Sequence, residues 1–125
     1  MLAEILIYVG SGIVFLWGIA HVAPTRSVVR GFGPISTDNR RLITMTWVGE
    51  GLMLCFIGAL VLLAALVGEG DAPSSVIVVR ACAAMLLITA VWTGFTGART
   101  PVLPMKLCPL VKTTVAVVFL LASVL

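Results

Sequence analysis

The chain has 125 residues, 61% of them hydrophobic and only 10% charged, where a soluble domain typically carries about 25% charged residues. Its formal charge of +3, from eight Lys/Arg and five Asp/Glu, is small, and the basic residues stand at the ends of apolar runs, which excludes a nucleic-acid binder. Three cysteines without a CxxC pair and a single histidine exclude a zinc ribbon, a thioredoxin-like motif and a haem held by two histidines of one chain.

The first apolar run, from about Ile5 to Ala23, carries Glu4 where a signal peptide would have a positive n-region and has no clear cleavage signal, so it reads as a retained span. Pro24 ends it, because proline disfavours the helical region at the residue before it. Gly10, Gly12 and Gly18 leave thin places on its surface where a neighbouring backbone can approach. Trp17 and His21, four apart, share a face.

The loop that follows, residues 24–41, is the most polar part of the chain. Gly31 to Pro34 is a turn signal. Ser36, Thr37 and Asp38 are good N-caps, so a helix is expected to start near Thr37 or Asp38. Arg26, Arg30, Arg40 and Arg41 set topology and are candidate contacts for an anionic lipid headgroup.

The longest run, Leu42 to Val67, needs only about 20 residues to cross a bilayer and carries one carboxylate, Glu50. An ionisable group in such a run is costly and a functional candidate by default. The alternative is a structural carboxylate that bonds His21, Lys112 or a threonine and fixes helix register. Thr46 shares a face with Glu50, while Gly51, Cys55 and Ala59 form a small-residue stripe suited to close helix contact. Gly68 to Asp71 and Pro73 read as a short acidic turn.

The third span is expected from about Ser75 to Phe95, with Ala83, Ala90 and Gly94 as a packing stripe and Thr89, Thr93 and Thr96 as a hydroxyl-bearing face. The fourth runs from about Leu107 to Leu125, with Lys112 near its beginning. The expected fold is therefore all-α, a single integral-membrane domain over residues 1–125, built as an antiparallel four-helix bundle with spans at about 5–23, 42–67, 75–95 and 107–125 and no soluble domain.

Lys/Arg-rich loops favour the cytoplasm, which puts loops 24–41 and 96–106 inside and both termini outside. At about 1.5 Å per residue, Glu50, His21, Thr93 and Lys112 then fall in the inner half of the bundle, where they can form one intramembrane polar site with Thr46. Glu4 and Arg80 fall near the outer face as a candidate pair. Trp17, Trp47 and Trp92 fit an aromatic belt, with a ligand-lining role as the alternative.

The glycine-punctuated first span GSGIVFLWGIAHVAP, followed by GFGPIS, resembles the DoxX-like group of small four-span bacterial membrane proteins. The resemblance implies a bacterial inner membrane and a small helper rather than a self-contained enzyme; some members of that group are membrane subunits linked to redox partners. The chain contains no P-loop, GxSxG or HExxH motif. The resulting expectation is a non-catalytic accessory or scaffold subunit without a cofactor or metal. It would handle lipid or assist transport, and pack with a larger membrane complex or as a homo-oligomer among membrane lipids. A small oligomeric proton-coupled transporter using Glu50, and an accessory to membrane redox chemistry, stand as alternatives.

Overall fold

The computed structural model describes residues 1–68 and 72–125. Its α-helices are α1 (Leu2–Val22), α2 (Thr25–Arg30), α3 (Thr37–Val67), α4 (Pro73–Phe95) and α5 (Leu103–Ala122), with a 3-10 turn at Gly97–Arg99. Four of these, α1, α3, α4 and α5, are long and apolar enough to cross a membrane. The fold is all-α, a four-helix bundle, and the chain is an integral membrane protein. Of the expected acidic turn, residues 69–71 lie outside the described residues.

Local chemistry sets the helix bounds. Pro24 separates α1 from the short α2. Gly33 then takes φ 73°, a left-handed conformation that glycine adopts without steric cost. The Ser36 side chain accepts a hydrogen bond from the Asn39 amide at 3.2 Å, which caps α3 in the usual way for serine at this position. The second helix thus begins before the apolar run does. Pro73 opens α4 and Pro104 lies in the first turn of α5, where a missing N–H costs nothing. For that reason α5 starts at Leu103, ahead of the expected 107. Pro109 lies inside α5 and removes the rung of the helix ladder that Met105 would otherwise accept.

The bundle closes in the order α3, α1, α5, α4. Helices α1 and α3 pack most extensively, followed by α4 with α5 and α1 with α5. Helices α3 and α4 follow one another in sequence but are the most sparsely packed pair of neighbouring spans. The core is largely apolar: Val14, Leu54, Val61, Leu86, Val115 and Phe119 have no exposed surface.

Glycine lets α1 and α3 approach. A Cβ on Gly18 would lie 2.6 Å from Cys55 Sγ and 2.7 Å from the Gly51 carbonyl oxygen, and one on Gly58 would lie 2.7 Å from the Ser11 carbonyl oxygen. The Cys55 thiol reaches the Phe15 carbonyl at 3.6 Å on the same seam. The small-residue stripe of α3 is therefore Gly51, Cys55 and Gly58 rather than Gly51, Cys55 and Ala59; Ala59 is only half-buried. The seam slants by seven residues from glycine to glycine, where a strict spacing of four misses Gly58. On α4, Ala90 is buried, but Gly94 has no neighbour within 4 Å of where a Cβ would stand, so it makes no close helix contact. Gly12 is equally open.

The loop after α1 and the connector before α5 meet at one end, where Pro24, Val28, Pro101 and Val102 line a common cleft. The amino-terminal turn, Gly68, Ser75 and Ser123 meet at the other. The basic connectors thus share one end of the bundle, and that end carries the candidate site.

Candidate functional site

Glu50 is on the inward side of α3, in the first half of the helix, and α5 brings Lys112 against it. The ammonium of Lys112 has no exposed surface and pairs with Glu50 Oε1. The same ammonium donates to Thr93 Oγ1 at 2.8 Å and to the Thr89 carbonyl at 3.4 Å. An ammonium has three hydrogens, and these three acceptors use all of them. Burying a charge in an apolar bundle is tolerable only with this kind of pairing and hydrogen bonding.

Glu50 Oε1 also has the Thr93 hydroxyl at 3.2 Å and the Cys108 thiol at 3.7 Å. The single hydroxyl hydrogen of Thr93 has a second acceptor in the Thr89 carbonyl at 2.7 Å. The other carboxylate oxygen, Oε2, makes no hydrogen bond among the described residues and lies 3.8 Å from His21 Nε2. Glu50 keeps 26% of its side-chain surface exposed, so the pair is buried at its cationic half and reachable at its anionic half.

His21 is 2% exposed. Trp47 stacks on its ring, with centroids 3.6 Å apart and planes 16° from parallel, and donates its indole N–H to the His21 carbonyl at 2.6 Å. Trp47 therefore clamps the end of α1 to α3. It is 3% exposed, an interior residue rather than part of an aromatic belt; Trp92, at 71% exposed, has the exposure a belt requires. Replacing Trp47 by Phe retains the stack and removes the donor. The expected cost is on the order of 1 kcal/mol, the usual net value of such a bond, read as a lowered unfolding temperature in detergent.

These groups face a cavity of about 410 Å³ between α3 and α4. Glu50, His21, Thr93 and Cys108 form its polar side, and Trp47, Met53, Trp92 and Met105 its apolar walls. Gly49 also lines it and has open space around it.

The structure thus brings Glu50, His21, Lys112 and Thr93 together. Thr46 lines the cavity but does not bond Glu50: its hydroxyl donates to the carbonyls of Leu42 and Ile43 at 3.0 and 3.1 Å, as a helical threonine commonly does. Cys108 is not among the expected site residues, and Trp47, which the sequence offers as a belt or ligand-lining residue, also holds His21 in place. Both carried a spacing signal, since Cys108 is four residues before Lys112 and Trp47 three before Glu50, each on its partner's face.

Arg26, Arg30 and Arg40 line a separate cleft of about 280 Å³ between α2 and α3. Arg41 does not join them; it turns to Asp38 at 3.6 Å, one helical turn away. The Glu4–Arg80 pair does not form. Glu4 lies 3.7 Å from the terminal amino group. Arg80 donates to Ser123 Oγ and to the Ser123 carbonyl, both at 3.2 Å, at the end of α5 where carbonyls lack helical donors.

Comparison with protein-family models, with curated proteins and with solved structures gives no match to this chain.

Proposed function

We propose that this protein is a small non-catalytic membrane subunit that holds the polar end of a lipid-phase amphiphile at the Glu50 site. The basic connectors, and with them the site, face the cytoplasm by the bias of Lys/Arg-rich loops. The observation that carries the reading is the Glu50–Lys112 pair exposed on its carboxylate side to a cavity with Trp and Met walls. Binding sites commonly combine mostly apolar lining with a few polar groups that fix orientation.

The access route supports a ligand from the bilayer. The cavity lies at the loosest seam of the bundle, between α3 and α4, beside the exposed Trp92 and the bare backbone of Gly49. Beyond the site, Val14, Leu54, Val61 and Phe119 fill the bundle, which favours a one-sided binding site over an open path. The DoxX-like resemblance points the same way, toward a helper whose work is done within the bilayer.

Gly49→Phe tests this. Gly49 lines the cavity and has open space where a Cβ would stand, so a ring introduced there can fill the mouth. Native mass spectrometry of the full chain released from lipid nanodiscs is expected to show a retained amphiphile on the wild type and none on the variant. An adduct pattern identical in the two proteins, or no adduct on either, would rule the reading out.

A further inference from the structure

Resting on the reading of the cavity as a ligand site, we infer that the molecule it takes is electrically neutral and carries a hydrogen-bond donor, a hydroxyl in the simplest case, at the head of an apolar body. The argument begins with a count of what the site has left to offer. Lys112 has spent its three hydrogens on Glu50, Thr93 and Thr89 and has no exposed surface, so it has nothing with which to receive an anion. Glu50 Oε1 is shared between Lys112, Thr93 and Cys108. The carboxylate oxygen without a hydrogen bond among the described residues is Oε2, and it is an acceptor. The two His21 ring nitrogens also lack a hydrogen-bond partner among the described residues, but neither has exposed surface to offer, so the ligand head must be a donor.

Charge decides between the donors. The Glu50–Lys112 pair is neutral as a unit, whichever partner holds the proton. An ammonium head would bring a buried charge with only an already paired carboxylate to meet it. A sulfate or carboxylate head would bring one with no cation among the cavity-lining residues. A hydroxyl meets Oε2 and brings no charge. The arginines at this end of the bundle do not alter this, since Arg26, Arg30 and Arg40 line a different cleft and Arg99 lies over the Phe95 ring at 5.5 Å.

The test uses the full chain in nanodiscs and three brominated probes with one tail: bromodecanol, bromodecyl sulfate and bromodecylammonium. They are compared at equal concentration in the nanodisc lipid, and binding is read as saturable quenching of tryptophan emission that Gly49→Phe abolishes. Bromodecanol is expected to bind, and the two charged probes to bind weaker by about tenfold or more, the loss that an unpaired buried charge imposes. In Glu50→Gln the Lys112 ammonium becomes the net charge of the site, and bromodecyl sulfate is expected to gain on bromodecanol. In Lys112→Met the preference is expected to turn to bromodecylammonium. Either charged probe binding the wild type as well as bromodecanol would overturn the inference while leaving the cavity a ligand site. No saturable quenching by any probe would overturn both.

Discussion

Replacing Glu50 by Leu is expected to cost more stability than replacing Lys112 by Met, although the two residues form one pair. Removing one partner of a buried ion pair costs about 3–5 kcal/mol, because the other is left charged without compensation. The two survivors are not in equal positions. Glu50 keeps part of its surface on the cavity, where it can find water. Lys112 is enclosed on all sides, and without Glu50 only the Thr93 hydroxyl and the Thr89 carbonyl remain to it. Glu50→Leu should therefore fall at the upper end of that range and Lys112→Met at the lower. The double replacement Glu50→Leu/Lys112→Leu should recover most of the loss, since apolar side chains in place of a buried pair are often neutral or stabilising. Adding Glu50→Leu/Lys112→Met to the two singles completes a double-mutant cycle, and denaturant titrations in detergent then give the coupling. Additive single losses would show that the two groups do not hold one another in the membrane.

The second large effect concerns the seam between α1 and α3. Gly18→Ala places a Cβ within 2.8 Å of the Cys55 amide nitrogen, 2.7 Å of the Gly51 carbonyl oxygen and 2.6 Å of Cys55 Sγ. Two of these are backbone atoms, so the helices themselves must part. Overpacking of this kind costs about 1–3 kcal/mol. His21 is three residues further along α1, so the displacement should also loosen the Trp47 stack and shift tryptophan emission. Gly12→Ala is the control. Nothing stands within 4 Å of its Cβ, and replacing a mid-helix glycine gains about 1 kcal/mol in helix propensity. It should leave the protein as stable as before or slightly more so. Equal behaviour of the two variants would mean that close backbone contact at Gly18 is not what joins these helices.

The four spans are legible in the sequence because length and apolarity alone specify a helix in lipid. Their ends follow from Ser36, Pro73 and Pro104, which act locally. Depth is legible too: counting residues from the helix ends puts Glu50, His21, Thr93 and Lys112 at one level, and the structure has them in one cluster. Rotation of each helix about its own axis is much less so. A helix that is apolar on every side carries little amphipathic signal of which face turns inward. That ambiguity separates Gly58 from Ala59 and leaves Gly94 open. It also hides Cys108 among the polar groups. The same limit applies to Arg80, whose partner Ser123 is a small polar residue near the chain end, while Glu4 at similar depth was the more conspicuous candidate.

The apolar layer formed by Val14, Leu54, Val61 and Phe119 also has an electrical consequence. Leu54 and Val61 stand seven residues apart on α3, about 10 Å along the helix, so water that entered the Glu50 cavity would meet an apolar septum of about that depth, and a membrane voltage would fall mainly across it. Carrying one elementary charge through the full drop is worth about 2.3 kcal/mol per 100 mV. A charged pair on one side of such a septum lies outside the steep part of the field, so the protein can keep ionisable groups deep in a bundle without becoming a leak.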